Sequence, residues 1–335
     1  MGSDGYPRRH SPGGGRITGL ETVRLTDIDF SDLTYRITTR SSVDDLAASI
    51  DRIGLLVPPL LKPQGGRLII VSGFLRLGAL RQQGTEATAA RMISPQLDPL
   101  ACAHCAIAEN RWQRPLNMLE TARAMALLAG TAADPGQLAA EAAAAGLPAN
   151  TGMIDKLLLA AELPAAVQAP LADGGIGLAM ALELGRHSDD FSSACATMFG
   201  HLRLGLNRQR ELLGLMTEIA ARDDVTPFDL FQMDGIQQVL ADTELDRPQK
   251  IGRIRDWLYH RRYPRLAAAE EAFRQNCRRL KLGEHIQLKP PRFFESDRYA
   301  IQLHFRTVGE LKERVQRLES VCHDAVLRDV LMRDQ

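Results

Sequence analysis

The stretch of sequence that decides the fold spans residues 109–122 and reads Glu109-Asn110-Arg111-Trp112-Gln113-Arg114-Pro115-Leu116-Asn117-Met118-Leu119-Glu120-Thr121-Ala122. An apolar helical pattern over residues 99–108 precedes it, and a second helical pattern follows it. Glu109 and Asn110 place a carboxylate beside an amide, and such groups hold an anionic ligand through a metal ion or through hydrogen bonds. This polar segment is therefore the first candidate for part of a binding site.

A glycine turn upstream predicts the other half of that site. The run Leu68-Ile69-Ile70-Val71 predicts a buried strand, because short β-branched runs next to glycine favour strands. The strand ends at Ser72-Gly73, and residues 74–83 predict a helix. Gly73 thus lies where backbone amides and the positive end of a helix hold an anion. Arg76 adds a guanidinium, whose fixed fork of donors suits phosphate oxygens.

Residues 42–122 resemble the N-terminal domain of the ParB family, the clamp proteins of chromosome and plasmid partition. The matching pieces follow the family's order: a helix over 43–52, the segment Gly54-Leu55-Leu56-Val57-Pro58, the Gly73 turn, and a last motif that retains Glu109, Asn110, Leu116, Asn117, Glu120 and Ala122. The resemblance implies that Gly73, Arg76, Glu109 and Asn110 bind CTP. It also implies that Glu109 and Asn110 lie near a Mg²⁺ ion, and that the chain is at most a weak CTPase.

The glycine turn departs from the family's pattern at three positions. Phe74-Leu75 stand in place of an acid and an arginine, and Gly78 stands in place of another arginine. The loss of two guanidiniums removes charge-assisted hydrogen bonds of about 1.5–3 kcal/mol each. In the alternative interpretation, Gly73 only turns the chain, Arg76 is a solvated helix residue, and the nucleotide switch has been lost.

Composition indicates a helix-rich protein without a membrane segment. At 335 residues, two or three domains are expected. Hydrophobic residues make up 45% of the chain and aromatic residues only 5%, which favours helices packed through small and aliphatic side chains. No run of apolar residues is long enough for a transmembrane helix, and an odd number of cysteines, five, argues against a disulfide scaffold. These features predict a cytoplasmic protein, and the resemblance implies association with the nucleoid.

Residues 136–145 and 151–163 predict two helices joined by a turn at Gly146-Leu147-Pro148, which is helix-turn-helix geometry. Candidate DNA contacts are Asn150, Thr151 and Lys156. The resemblance to ParB continues to residue 222, and a later helix start adds Arg208 and Arg210 as candidates. Because residues 131–248 hold 7 Lys+Arg against 17 Asp+Glu, the alternative is a helical scaffold that has lost its DNA contact.

The basic tract, residues 250–281, interleaves cations with aromatic residues, a pattern suited to a nucleic-acid backbone, and residues 251–282 predict one long helix. It lies in the region 249–335, which holds 19 Lys+Arg against 12 Asp+Glu. Its candidate DNA contacts are Arg253, Arg255, Arg261 and Arg262. A solvated helix face, or docking of the tract onto the acidic region 131–248, explains the same residues without DNA.

The predicted fold class is α+β and mostly helical: a small α/β ParB-like N-terminal module, an all-helical helix-turn-helix middle and an α+β C-terminal domain. The predicted segments are a disordered tail (1–19), a ParB-like module of nucleotide-binding type (20–115), a helix-turn-helix domain (116–222), a linker (223–249) and a basic C-terminal domain that mediates dimerisation (250–335).

The predicted function is that of a homodimeric, CTP-gated DNA-binding protein of chromosome or plasmid partition. Its expected partners are DNA and a ParA-like ATPase, with no membrane partner. The alternative is a non-enzymatic ParB-like transcriptional or nucleoid regulator that has lost the nucleotide switch. A DNA-processing enzyme ranks last, because the sequence identifies no catalytic residues.

Overall fold

The computed structural model describes residues 17–291, 294 and 296–331. Its fold is α+β and mostly helical, as the sequence predicts. The chain divides into two compact units, one ending at Leu206 and the other beginning at Asn207, so the boundary lies inside the predicted domain 116–222. Of the predicted tail 1–19, residues 1–16 lie outside the described residues, and Ile17 already begins a strand. Across the described ranges, no helix is both long and apolar enough to cross a membrane.

The first unit contains a five-stranded sheet in the order β1-β5-β3-β4-β2. Its strands are β1 (Ile17–Arg24), β2 (Ile28–Asp29), β3 (Leu60–Gln64), β4 (Arg67–Ser72) and β5 (Ala87–Ile93). β3 and β4 form an antiparallel hairpin, and β4 contains the predicted buried strand. The two turn residues of the hairpin, Gly65 and Gly66, both have positive φ (60° and 81°), the backbone that a two-residue hairpin turn of this hand requires. β1 lies at one edge and pairs antiparallel with β5, as expected for an edge strand.

Three helices of the first unit alternate with these strands: α1 (Asp44–Ile53), α2 (Phe74–Gln82) and α3 (Pro99–Gln113). α3 begins at a strong cap, where the Asp98 side chain accepts a hydrogen bond from the Ala101 amide at 2.6 Å. The predicted end of this helix at residue 108 is wrong, because α3 continues to Gln113. It stops at Arg114, whose extended backbone is the conformation favoured before a proline such as Pro115. Glu109 and Asn110 therefore lie on the last turns of a helix.

The remainder of the first unit is helical and includes the predicted helix pair. Its helices are α4 (Met118–Ala129), α5 (Pro135–Ala144), α6 (Thr151–Ala161), α7 (Ala165–Ala172), α8 (Leu178–Leu184) and α9 (Asp189–Leu202). α5 and α6 match the helix pair predicted over 136–163 to within two residues at each end. The turn between them contains Gly146 at φ 69°, which favours glycine, and the buried side chain of Leu147.

The second unit is also α+β. Its elements are α10 (Leu206–Asp223), α11 (Pro227–Phe231), α12 (Asp234–Ala241), α13 (Arg247–Arg262), α14 (Pro264–Leu280), β6 (Ile286–Lys289), β7 (Ala300–Leu303), α15 (Val308–Cys322) and α16 (Ala325–Leu331). The single helix predicted over 251–282 is wrong, because Pro264 begins a new helix and forces Tyr263 out of the helical conformation. β6 and β7 form a short antiparallel pair.

Candidate ligand pocket and DNA-binding surfaces

A cavity of about 380 Å³ in the first unit is lined by all four residues predicted to bind nucleotide, Gly73, Arg76, Glu109 and Asn110. Much of its remaining wall is apolar and comes from α1, the following segment and the start of α2: Leu46, Ile50, Ile53, Leu55, Leu56, Val57, Phe74 and Leu75. Other polar groups come from the segment before α1 and from the end of α3: Thr38, Arg40, Gln113 and Arg114. The fold thus brings the glycine turn and the acid–amide pair to one cavity.

Gly73 is required by both its backbone and its surroundings. Its φ of 96° is a left-handed conformation that side-chain-bearing residues rarely adopt. A Cβ atom at this position would lie 2.8 Å from the Cβ of Pro59 and 3.0 Å from its Cα. No side chain caps the start of α2, where Gly73 is the N-cap residue. The turn therefore leaves the first amides of α2 beside the cavity.

Arg76 is held by the wall of the cavity. Its guanidinium pairs with the Glu109 carboxylate and donates to the Val57 carbonyl at 2.9 Å, the Pro58 carbonyl at 3.4 Å and the Ser72 hydroxyl at 3.3 Å. Only 12% of the Arg76 side chain is exposed. These contacts fasten α2 to α3 and to the loop before β3. In this arrangement Arg76 contributes scaffold, and its charge is neutralised by Glu109.

Glu109 and Asn110 do not fit a Mg²⁺ ion in this arrangement. The Glu109 oxygen Oε1, which accepts from Arg76, also accepts from the Gln113 amide, so a cation at that oxygen would have to displace two donors. The Asn110 side-chain amide donates back to the Ala106 carbonyl at 2.8 Å. Within the described residues, no group of three or more His, Cys, Asp or Glu side chains is placed to hold a metal ion.

Glu120 belongs to the last of the ParB-like motifs, and its role was not predicted from the sequence. It is fully buried behind the cavity. Its carboxylate accepts two hydrogen bonds from Arg114 (2.5 and 2.6 Å), two from the backbone and hydroxyl of Thr39 (3.0 and 3.2 Å) and one from the Asn117 amide (3.1 Å). We call these four residues the Glu120 cluster. It joins the segment before α1 to the ends of α3 and α4.

The pKa of Glu120 reflects these contacts. Burial pushes the pKa upward, but the hydrogen bonds from Arg114, Thr39 and Asn117 favour the charged form more strongly and lower it from 4.5 to about 2. The sequence carried one signal of this role, the capping box formed by Asn117 and Glu120 at the start of α4. No sequence pattern indicated the contact between Glu120 and Thr39, which lie 81 residues apart.

Arg40 is the second residue of the candidate site that was not predicted from the sequence. It lies at the cavity wall, its side chain is exposed, and within the described residues its guanidinium forms no ion pair. The other cations that line the cavity are paired, Arg76 with Glu109 and Arg114 with Glu120. Arg40 is therefore the cation at this cavity that is available to an anionic ligand.

The α5–α6 pair presents all three of its predicted contacts to solvent, but one of them already bonds the backbone. Thr151 and Lys156 are exposed on α6, together with Asp155. Asn150 is also the N-cap of α6, and its side-chain oxygen accepts from the Met153 amide at 2.9 Å. Asn150 thus has a structural role at the start of the helix.

α3 connects the cavity to the α5–α6 pair. Glu109 and Asn110 line the cavity, whereas Arg111 and His104 of the same helix contact α5 and its turn. The guanidinium of Arg111 lies against Gly146, where a Cβ would come within 2.2 Å of it. The His104 ring lies 2.6 Å from the Glu141 carboxylate of α5. One helix therefore supports both candidate sites of the first unit.

The arginines of the second unit divide into paired and unpaired groups. Arg255 pairs with Glu211 at 2.5 Å, Arg262 with Glu218 at 2.8 Å, and Arg261 with Asp223 at 3.0 Å. These acids lie on α10, within the acidic region 131–248, so the contacts correspond to the docking alternative for the basic tract. Arg208 also pairs with Glu211 (3.0 Å), whereas Arg210 and Arg253 are exposed and form no ion pair in the described ranges.

Comparisons with known proteins find solved ParB structures among the chains similar to this one. No protein-family model and no curated protein matches the chain. A C-terminally truncated ParB from Caulobacter crescentus complexed with CTP-γ-S is 24% identical, covers 54% of this chain and 99% of its own, and has a TM-score of 0.26. The same protein complexed to the centromeric parS site is 22% identical (57% and 97% covered, TM-score 0.31). A Pnob8-like ParB-N domain is 11% identical (58% and 93% covered, TM-score 0.37). The chain is thus similar to solved ParB structures over little more than half of its length, at low identity.

Proposed function

We propose that this chain is a ParB-like DNA-binding protein of chromosome or plasmid partition, in which a nucleotide bound in the cavity of the first unit influences the helix-turn-helix. One observation carries the proposal: α3 lines the cavity with Glu109 and Asn110 and contacts the α5–α6 turn with Arg111. A ligand that moves the end of α3 therefore acts directly on the support of the DNA-binding pair. The motif resemblance makes CTP the first ligand to test.

Titration calorimetry with CTP, with and without Mg²⁺, tests the nucleotide site. We expect heat of binding with the wild-type chain and about tenfold weaker binding for Asn110→Ala, because one neutral hydrogen bond is worth about 0.5–1.5 kcal/mol. Asn110 is suited to this test because its side chain bonds only within its own helix in the described structure, so the fold should survive its removal.

Gln82→Ala is the matched control for that titration. It removes an amide of the same unit that bonds Asp44 at 3.1 Å and does not line the cavity. Equal losses in both variants would mean that the amide at position 110 does not contact the nucleotide.

A second candidate function is that of a ParB-like regulator that binds DNA without a nucleotide switch. The occupied state of Arg76 favours it, because four acceptors already hold that guanidinium and Glu109 neutralises it. Absence of heat with CTP, together with intact binding to duplex DNA, would select this function over the first.

We further propose that the chain is a homodimer through β6, β7 and α15. A two-stranded sheet is marginally stable alone, and each strand of this one has an unpaired edge. The same region exposes apolar side chains, including Ile301 (48% exposed), Phe305 (50%), Val308 (69%) and Val315 (41%). A second copy of the chain would supply both strand pairing and an apolar partner surface.

Sedimentation tests the dimer. We expect the wild-type chain to sediment as a dimer and Val308→Asp/Val315→Asp to sediment as a monomer, because two charges cannot be buried in an apolar interface without a large penalty. Lys312→Asp/Glu313→Lys, which changes neighbouring exposed positions of α15, is the control and should remain dimeric. A wild-type monomer at all concentrations would contradict the proposal.

The cytoplasmic, nucleoid-associated location and the ParA-like ATPase partner stay predictions from the resemblance. A binding assay with a purified ParA-like ATPase tests the predicted partner, and absence of binding would contradict that prediction.

A further inference from the structure

A set of hydrogen bonds in the first unit runs from the cavity wall toward α6 without passing through α3. It begins at Thr38, a buried residue of the segment before α1 that lines the cavity. The Arg123 guanidinium of α4 donates through Nη1 to the Thr38 carbonyl at 3.2 Å and through Nη2 to the side-chain oxygen of Gln168 at 3.2 Å. One planar group on α4 therefore joins the cavity wall to α7.

Gln168 extends this connection to α6, the helix that bears the predicted DNA contacts. Its side-chain amide donates to the Ala161 carbonyl at 2.9 Å and to the Leu163 carbonyl at 2.8 Å. Ala161 is the last residue of α6, and its carbonyl is one of those that a helix leaves without an intrahelical partner. We call the path from Thr38 through Arg123 and Gln168 to the end of α6 the Arg123 relay.

Packing of α4 against α7 does not by itself account for an arginine at position 123. Arg123 is partly buried, and within the described residues its guanidinium forms no ion pair. Burial lowers the pKa of Arg123 and the positive charge of Arg36 lowers it further, while the Glu120 carboxylate offsets part of this change. An apolar side chain would pack here without the cost of removing a cation from water. The particular contribution of the guanidinium is therefore its two directed hydrogen bonds.

Arg40 gives a ligand in the cavity a means of acting on the near end of the Arg123 relay. It is exposed at the cavity wall, where it is available to an anionic group. Its backbone amide donates to the Thr38 hydroxyl at 3.3 Å, so a movement of Arg40 toward a phosphate would also move Thr38. Because the guanidinium of Arg123 is a rigid fork, a shift of the Thr38 carbonyl at one arm changes the position of the other arm at Gln168.

We propose that Arg123 and Gln168 are positioning residues that transmit the binding of a nucleotide in the cavity to the C-terminal end of α6. This inference rests on the proposed function, in which a nucleotide in this cavity influences the α5–α6 pair. It adds a direct route to α6 beside the contact of α3 with the α5–α6 turn. The coupling requires that the relay has a different arrangement in the presence of the ligand, and that difference is measurable.

Amide hydrogen exchange of the full-length chain, with and without CTP and Mg²⁺, tests the Arg123 relay, because exchange reports local opening at each amide. In the wild type, CTP should change the exchange rates of residues 37–40, and those of residues 158–163 by at least about fivefold, the lower end of typical coupling between sites. In Arg123→Met, residues 37–40 should still respond and residues 158–163 should not. Gln168→Met should give the same result, because it removes the bonds at the other end of the relay. The double variant should lose no more of the response than either single variant.

Lys62→Met is the matched control. Lys62 is a buried cation of the same unit that also donates to a backbone carbonyl, that of Leu97 at 2.7 Å, and it belongs neither to the cavity wall nor to the relay. Its removal should leave the responses of residues 37–40 and 158–163 as they are in the wild type.

The inference is overturned if both relay variants keep the wild-type response at residues 158–163, or if Lys62→Met loses it as fully as they do. It is also overturned if the relay variants lose the response at residues 37–40, because Arg123 and Gln168 would then act on binding itself. Gln168→Met keeps the test available if Arg123→Met does not fold. A wild-type chain in which only residues 37–40 respond overturns the relay alone, whereas one in which no amide responds to CTP overturns the proposed nucleotide site as well.

Discussion

Replacing Glu120 with alanine is expected to lower the free energy of unfolding by about 3–5 kcal/mol, the usual cost of breaking a buried ion pair from one side. The carboxylate is fully buried and is the shared acceptor of Arg114, Thr39 and Asn117. Without it, a guanidinium loses its partner, and two backbone amides at a buried position lose their acceptor. Denaturant unfolding at neutral pH measures the effect.

Glu141→Ala is the matched control for Glu120→Ala. It also removes a carboxylate that contacts one side-chain partner, but Glu141 is 27% exposed and its partner His104 is 30% exposed, so a loss of about 1 kcal/mol or less is expected. If both variants lost a similar free energy of unfolding, the Glu120 cluster would contribute no more to stability than an exposed contact.

The pH dependence of stability provides an independent readout of Glu120. Its pKa is about 2 in the folded chain against an ordinary value of 4.5, so folding favours the charged form. The stabilisation is therefore complete above pH 4.5 and is lost as the pH falls toward 2, by about 3 kcal/mol in total. Glu120→Gln, which cannot titrate, should lack this part of the acid sensitivity. An unchanged acid profile in Glu120→Gln would contradict the assignment.

Gly73→Ala is expected to lower the free energy of unfolding by about 3 kcal/mol and to abolish nucleotide binding. The left-handed backbone at φ 96° accounts for about 1–2 kcal/mol of this loss. The rest comes from the new Cβ, which would lie 2.8 Å from the Cβ of Pro59 and must displace that residue at the edge of the cavity. Denaturant unfolding and titration with CTP measure the two effects.

Gly84→Ala separates these causes. Gly84 also has a positive φ, 70°, but a Cβ there would meet no atom within 4 Å. It should therefore cost only the backbone strain, about 1 kcal/mol, and leave nucleotide binding intact. If Gly84→Ala weakened CTP binding as much as Gly73→Ala, the effect would come from general destabilisation of the sheet module and not from the cavity.

The parts of the fold that the sequence predicts are those controlled by neighbours in the chain. The Gly65-Gly66 turn specifies the β3–β4 hairpin, and the Asp98-Pro99 pair starts α3, because turn and cap chemistry acts within a few residues. The errors occur where a helical pattern gives no stopping point. α3 runs past residue 108, since nothing before Pro115 ends it, and the basic tract breaks at Pro264, which the apolar periodicity alone does not register.

Four residues that line the candidate cavity could be predicted from the sequence, whereas Arg40 and the contacts among the lining residues could not. Gly73, Arg76, Glu109 and Asn110 do line one cavity, as the motif order indicates. The sequence could not predict that Arg76 pairs with Glu109, because that contact joins positions 33 apart on separate helices. The same limit applies to Glu120 and Thr39, and to the pairing of α13 with α10. Charge counts along the sequence identified the basic tract. Only the structure shows which of its arginines pair with acids of α10 and which do not.

The ion pairs between α10 and α13 favour one lengthwise alignment of these two helices. Glu211 and Glu218 are seven residues apart, as are Arg255 and Arg262, so the helices run in the same direction and their charges repeat at one interval. If one helix slid by seven residues along the other, one glutamate–arginine ion pair could still form. The seven-residue repeat alone therefore does not exclude that alignment. The bridge between Asp223 and Arg261 breaks the repeat, because it joins positions with a different offset. Only the observed alignment forms all three, so the Asp223 ion pair adds a preference against the seven-residue slide.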